Sequence, residues 1–239
     1  MPGFSRVGRR AAGRVAADAL ERRQREEMER FVGRLVHELR SPLSVVMMTL
    51  DAVARSGRVP PARALELASI ALRDVDAVLE RCYLMARIDL GEFTVAREAF
   101  ELRRCLEAVV AERPGRCRVS LVGDAIDIVS DEQAVRTIVA NLIDNACAYG
   151  DAERAVEVAF GIAADADHVM VRVRNAIGVA GAPDPGLAFE RYYRGPLAGV
   201  VTGAGLGLNL ARSLAGLLGG TVTLSDHGGY VDAVVTLPC

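Results

Sequence analysis

Residues 131–146 read Asp131-Glu132-Gln133-Ala134-Val135-Arg136-Thr137-Ile138-Val139-Ala140-Asn141-Leu142-Ile143-Asp144-Asn145-Ala146. Apolar residues recur there at helical spacing, and Asp131 stands where an N-cap belongs, its carboxylate able to accept from the first free backbone N–H groups. The reading is a helix from Glu132 to about Ala148. What flanks it is strand-like: Arg118–Val122 and Ala125–Val129 before it, and the alternating segments Ala155–Gly161 and His168–Arg174 after it. A Gly- and Pro-rich stretch follows at Gly178–Gly186, then a helix entered through Gly203–Gly207. The last strands are Thr221–Leu224 and Tyr230–Leu237, joined by a turn containing Gly228-Gly229. Strands grouped together with helices to one side predict an α+β sandwich over residues 91–239.

Toward the N-terminus the texture is purely helical. Periodicity runs through 19–55 and 62–89, broken by Ser56-Gly57-Arg58-Val59-Pro60-Pro61, and predicts a helical hairpin over residues 28–90. Its second helix repeats Leu65, Ala68, Leu72, Val75, Leu79, Cys82 and Ala86 in steps of three and four, the spacing of a coiled-coil-like seam. In the first helix Val32, Leu35, Leu39, Leu43, Val46, Leu50 and Val53 fall on one face. A lone hairpin leaves such a stripe half covered, so a homodimer forming a four-helix bundle is expected. Residues 1–27 are Arg-rich, and a helical leading segment is expected there.

Composition narrows the chemistry. The chain has 239 residues and a formal charge of -2, so no general field favours nucleic acid or an anionic membrane. All 29 cationic residues are arginine. Without lysine there is no Walker A loop, no Schiff base with pyridoxal phosphate and no strand-borne lysine of the eukaryote-like kinases. The five cysteines are scattered without a CxxC pair and the histidines number three, which argues against a disulfide framework or a zinc cage. No apolar run reaches the ~18 residues of a membrane helix, and the start lacks the apolar core of a signal peptide, so no membrane insertion is expected. The Arg- and Ala-rich start resembles a transit peptide in composition, but the whole chain is rich in both. A reduced, cytoplasmic protein is the expectation.

One titratable side chain is set against the seam. With Leu35 at zero on a helical wheel, His37 falls near about 200° and Leu39 near about 40°, so the imidazole faces away from the apolar stripe. Neutral imidazole is a competent nucleophile near neutral pH, and the adjacent Glu38 can accept its proton and orient the attacking nitrogen. Pro42, inside the helical pattern, is expected to loosen the helix just beyond. The plain alternative is a polar-face histidine without a role.

A second group of residues suits a nucleotide. Asn141 and Asn145, four apart, share a helix face, and an amide oxygen is a hard ligand suited to Mg²⁺. Solvated or capping asparagines are the alternative reading. Gly203-Ala204-Gly205-Leu206-Gly207-Leu208 opens a helix whose free N–H groups can hold phosphate, though many such turns are only turns. Phe189-Glu190-Arg191-Tyr192-Tyr193-Arg194-Gly195, between Gly-rich segments, reads as a lid bringing Arg191 and Arg194 over an anion, or as an aromatic anchor for a surface loop.

Phe31 followed by His37-Glu38-Leu39-Arg40-Ser41-Pro42-Leu43 resembles the H-box of bacterial two-component sensor histidine kinases, and the three later groups resemble the N-box, F-box and G2-box of that family's ATP-binding domain, in order, over about residues 28–238. The resemblance implies a dimerisation and histidine-phosphotransfer hairpin followed by an α+β sandwich of the Bergerat (GHKL) type. It implies ATP and Mg²⁺ as cofactors and a response-regulator receiver domain as partner. Carried over by position, His37 is the phosphoacceptor and Glu38 its acid/base partner. Asn141 and Asn145 are the Mg²⁺–phosphate residues, with Asn145 the metal ligand, and Tyr149 packs on the nucleotide. Arg194 is the phosphate-contacting lid residue, and Gly203, Gly205 and Gly207 form the phosphate loop. The exposed strip Ser41, Ser44, Met48 and Arg55, on the side of His37, is the expected docking surface for the regulator.

Two positions depart from the family pattern. The G1-box aspartate that accepts from the adenine amino group is Asn175 here, with Ile177 and Val179 at the glycine positions. The cation expected three residues beyond the second asparagine is Ala148, and a lost charge-assisted hydrogen bond is worth about 1.5–3 kcal/mol. These departures motivate an alternative: a nucleotide-poor phosphotransfer or scaffold protein that binds a response regulator without using ATP.

Overall fold

The computed structural model describes residues 38–55, 60–113, 117–193 and 205–239, together with Arg22, Glu29, Val32, Gly33, Leu35, Val36 and Gly195. The chain divides into two compact units, Met1–Val78 and Leu79–Cys239. The division falls inside the second hairpin helix, ahead of the boundary expected after Leu90.

The first unit contains helix α1, residues 38–55, and the greater part of α2, Pro61–Asp89. Helical structure continues unbroken through Pro42, where the sequence suggests a loosened turn. Further along α1 the Ser44 hydroxyl donates to the Arg40 carbonyl at 2.8 Å and the Thr49 hydroxyl to that of Val45 at 2.6 Å. Pro61 occupies the first position of α2, where its missing N–H costs nothing. The expected seam sits one position away from what is buried. Ala64, Ala71 and Val78, seven residues apart, are buried, while Leu65 and Leu72 on α2 and Leu43 and Leu50 on α1 remain exposed. Small residues take the close packing, and the large ones form an open apolar stripe.

The second unit continues from the end of α2 through β1 (Glu98–Glu101), α3 (Leu102–Ala111), β2 (Val119–Val122), β3 (Asp127–Ser130), α4 (Glu132–Tyr149), β4 (Val156–Ile162), β5 (His168–Ala176), α5 (Gly207–Leu217), β6 (Thr221–His227) and β7 (Tyr230–Pro238). Five strands form one sheet in the order β2-β4-β5-β7-β6, with β2 and β4 parallel and the other neighbours antiparallel. β1 and β3 make a separate antiparallel pair. One sheet face, carrying Val158, Val171, Val173, Val235 and Leu237, is buried together with Leu106, Ile138, Leu142, Leu210 and Leu214 of α3, α4 and α5. Each such side chain stabilises the fold by about 1.5–3 kcal/mol through burial. This is the expected two-layer α+β arrangement, with β1 and α3 added.

Local chemistry explains where α4 starts. Asp131 caps it as expected: one carboxylate oxygen accepts from the Ala134 N–H at 2.9 Å and the other from the Ala96 N–H at 2.9 Å. At the opposite end of the sheet layer, Arg174 on β5 donates from two nitrogens to the Asp232 carboxylate on β7, at 2.7 and 2.8 Å. The cysteine reading needs correction, because Cys117, just before β2, is disulfide-bonded to Cys147 in the last turn of α4, with Cα atoms 5.6 Å apart. Residues thirty apart in sequence meet because the chain entering β2 passes the last turn of α4, which spacing alone does not reveal.

The hydrogen bonds from Arg174 hold the Asp232 carboxyl below its usual range, against the opposing effect of burial. A folded-state value below the unfolded one makes the pair's stabilisation complete above the unfolded carboxylate value and progressively lost as pH falls through the folded one. Thermal unfolding of wild type and Asp232→Asn between about pH 6 and 2 is the check. The wild-type advantage in Tm should be largest above about pH 5 and shrink in acid; a constant difference would contradict the assignment.

Candidate active site

A cleft opens beside the C-terminal half of α4. Its wall includes Asn145 and Tyr149 from α4, Asn175 from the end of β5, Gly181 from the following loop, Tyr193 from the aromatic segment and Leu208 from the first turn of α5. Asn145 and Tyr149 are four apart on one helical face, which is why both reach it. Among the described residues that line the cleft none is charged, so its polar capacity rests on two amides, two phenols and the backbone.

Next to the cleft a close backbone contact joins the loop after β5 to the end of α4. The N–H of Gly178 donates to the Tyr149 carbonyl at 3.2 Å, and Gly150 pairs with Ile177. A β-carbon on residue 178 would meet the carbonyl oxygens of Gly150 and Tyr149 at 2.5 and 2.6 Å, so only glycine allows the loop this near to α4. Gly181 in the cleft wall has a φ of 75°, a left-handed conformation that glycine adopts without penalty. Ile177 and Val179 stand where the family pattern has glycine, and Gly178 and Gly181 supply the freedom from neighbouring positions. Neither glycine falls at a position that the family spacing marks.

Asn175 is buried, and its NH₂ group donates to the Ala176 carbonyl at 2.9 Å. One of its two N–H donors is thereby used within the protein, and the amide oxygen can accept from a ligand. Asn141 takes a different place from Asn145: it is buried, donates to the Thr137 carbonyl at 2.7 Å, and sets its oxygen 2.9 Å from where a β-carbon on Gly207 would lie. It seats the first residue of α5 against α4 and does not line the cleft.

The aromatic segment is anchored to α5. Asn209 donates from its amide to the Phe189 carbonyl at 2.8 Å, and Arg212 donates to the same oxygen at 3.2 Å with its guanidinium 5.2 Å from the Phe189 ring centre. Neither residue was legible as functional, although an asparagine early in a helix is a hint that its side chain has a structural partner. The Tyr192 N–H donates to the Gly205 carbonyl at 2.9 Å. Gly205 has a φ of 69°, and a β-carbon there would meet the Tyr193 carbonyl oxygen at 2.5 Å. Tyr192 itself is held at a φ of 67°, a conformation costing a bulky residue on the order of 1–3 kcal/mol. Arg191 points elsewhere: its guanidinium makes a two-point ion pair with Asp89 at the end of α2, one contact at 2.8 Å. Glu38 lies half-buried in α1 of the first unit. His37, Arg194 and Gly203 lie outside the described residues.

Residues 130–239 match the family described as histidine kinase-, DNA gyrase B- and HSP90-like ATPase. The sensor histidine kinase MtrB of Mycolicibacterium paratuberculosis is 32% identical over 196 residues, 77% of this chain and 34% of MtrB. The sensor protein kinase PmrB of Pseudomonas aeruginosa is 27% identical over 223 residues, 89% of this chain and 46% of PmrB. Among solved structures, the Acinetobacter baumannii histidine kinase AdeS shares the fold with a TM-score of 0.63, over 84% of this chain and 97% of its own, at 16% identity. The chain thus spans between a third and a half of the length of these curated relatives.

Substituting the two loop glycines separates their roles. Gly178→Ala forces the loop off the end of α4 and should destabilise the protein by about 1–3 kcal/mol while weakening any ligand held in the cleft. Gly181→Ala has open space around it and meets only the backbone penalty, about 1 kcal/mol. Denaturant unfolding with equal losses at both positions would contradict the close-contact account.

Proposed function

We propose that the chain is a two-component sensor histidine kinase that binds ATP in the cleft beside α4 and transfers the γ-phosphoryl group to His37, from which it passes to an aspartate of a response-regulator receiver domain, a reading supported by the ATPase-family match and the sensor-kinase relatives. The observation that carries the nucleotide assignment is the orientation of Asn175. One of its two N–H donors is spent on the Ala176 carbonyl and the NH₂ lies beside Gly150, so the amide oxygen is the end offered to the exocyclic amine of adenine, a donor that the carbonyl of guanine does not supply. Asparagine in place of aspartate then keeps adenine selectivity while giving up charge.

The donor set fits a magnesium ion brought in on phosphates. Asn145 offers one amide oxygen at the cleft, with no carboxylate among the described lining residues, and Mg²⁺ keeps water and phosphate oxygens in most of its positions. When bound, the ion would neutralise charge on the phosphates. The chain's own residues hold and orient: Asn145 at the metal, Tyr149 against the nucleotide, Asn175 at the base, and Gly205 and Gly207 at the entry to α5, where backbone N–H groups face phosphate. Arg194 and Gly203 complete this set by resemblance. In the transfer itself a neutral imidazole nitrogen of His37 bonds to the γ-phosphorus, the bond to the bridging oxygen breaks, ADP leaves, and Glu38 takes the ring proton.

Two further parts of the reading rest on the first unit. The open stripe of Leu43, Leu50, Leu65 and Leu72 supports a homodimer in which two hairpins form a four-helix bundle. Ser41, Ser44, Met48 and Arg55 are all exposed, which supports their use as the regulator's docking strip. Among the described residues no helix is long and apolar enough to cross a membrane. The lack of charge among the described cleft residues and of a basic residue in the last turn of α4 favours one competing reading, a phosphohistidine relay or scaffold that does not use ATP.

Incubation with Mg²⁺ and γ-labelled ATP separates the two. The kinase reading predicts acid-labile label on wild type, none on His37→Ala, and at least about tenfold less from labelled GTP, the loss expected for one mismatched hydrogen bond. Label retained by His37→Ala contradicts the phosphoacceptor, and a wild type that neither labels nor binds nucleotide leaves the relay. Light scattering on the same preparation should return the mass of two chains; a single-chain mass contradicts the dimer.

A further inference from the structure

Nothing in the proposed kinase chemistry uses the bond between Cys117 and Cys147, yet it is attached to the turn of α4 that carries the cleft. Asn145 and Tyr149 face the cleft from that turn. Cys147 lies two residues from each, and two residues rotate a helix by about 200°, so its side chain leaves the opposite side. The front of the turn is held by the Gly178 N–H on the Tyr149 carbonyl. One turn earlier, Arg113 donates to the Asp144 carboxylate at 2.9 Å. The sulfur bridge holds the back, tying it to Cys117 at the entry to β2, the edge strand of the five-stranded sheet.

The pair also differs from the core thiol Cys105 in access. Cys117 and Cys147 are both half-buried, whereas Cys105 is buried and its thiol is pushed up to about 12 by burial, which keeps it protonated and inert. The Cα separation of 5.6 Å lies within the range a disulfide spans without moving the backbone.

We infer that Cys117 and Cys147 are a reversible redox site whose bond fixes the cleft-bearing turn of α4 and so sets nucleotide affinity; this rests on reading the cleft as the nucleotide site. The oxidant is a low-molecular-weight disulfide. One cysteine thiolate attacks it, giving a mixed disulfide and releasing one small thiolate. The second cysteine thiolate then displaces the other, closing the protein bond, and the two protons lost by the cysteines end on the two small thiols. In the oxidised state the turn is preorganised. In the reduced state it is the last turn of a helix with no basic residue to pair with its terminal carbonyls, and binding must restore its order.

The test uses the full chain equilibrated in glutathione buffers of stepped oxidised-to-reduced ratio. Alkylation and peptide mapping read the bond, thermal unfolding reads stability, and calorimetry with Mg²⁺–ATP reads affinity. The Cys117–Cys147 cross-linked peptide should appear as the oxidised fraction rises, with Tm higher by about 5–10 °C. ATP should bind the oxidised form about 3–10-fold more tightly. Cys117→Ser and Cys147→Ser should each stay at the reduced-form affinity in every buffer, and the wild-type comparison stands even where a variant folds poorly. Two thiols that remain alkylatable in oxidised glutathione overturn the proposal. So does equal affinity in the two states: equal tight binding removes the redox coupling alone, and absence of binding in both removes the nucleotide reading with it.

Discussion

At the end of α4 the backbone of Tyr149 and Gly150 lies so close to residue 178 that a methyl group there would overlap two carbonyl oxygens. This contact determines where the cleft opens. It brings the loop after β5 against the helix, places Asn175 beside Tyr149, and leaves Gly181 to turn the loop outward. The remaining supports converge on the same few residues. Asp131 fixes where α4 begins, Asn141 spaces α4 from the first residue of α5, and the Arg174–Asp232 pair locks β5 to β7 one residue before Asn175. A helix capped at one end, spaced in the middle and pressed against a glycine at the other has little freedom to slide, which is what a binding face on α4 needs.

The cleft is unusual in chemistry more than in shape. Its described wall has amides and phenols where a phosphate site ordinarily gathers charge, and the chain has no lysine to contribute. On the proposed nucleotide reading, affinity for a polyanion would lean on backbone N–H groups at the start of α5 and on a metal ion accompanying the phosphates. Such a site depends more than a charged one on its geometry being held in advance, because each neutral hydrogen bond contributes only about 0.5–1.5 kcal/mol. The anchoring of the aromatic segment through Asn209 and Arg212, and the strained backbone of Tyr192 beside Gly205, belong to that rigid frame.

Much of this was legible in the residues. The α4 cap, the paired asparagines, the alternating strands and the glycine-rich entry to α5 each follow a local rule with a period or a cap that sequence displays directly. β1 and α3 escaped because they are short: α3 has ten residues and its N-cap, Glu101, makes no side-chain capping bond, so its stripe of Leu102, Cys105, Leu106 and Val109 had no start signal. The Cys117–Cys147 bond and the Arg191–Asp89 pair escaped because they are tertiary, 30 and 102 residues apart in sequence. Asn141 and Asn145 look equivalent on a helical wheel and differ only once α5 covers one of them. In α2 the buried and open stripes are adjacent rows of apolar residues, and a wheel cannot say which one a single chain covers.

A crystal structure of the full chain grown with a non-hydrolysable ATP analogue and Mg²⁺ tests the nucleotide cleft most directly. The adenine ring should lie beside Tyr149 with its amino group on the Asn175 amide oxygen, and the phosphates should run toward Asn145 and the first turn of α5. A nucleotide bound away from α4, or a cleft closed by its own side chains at saturating analogue, would contradict that placement.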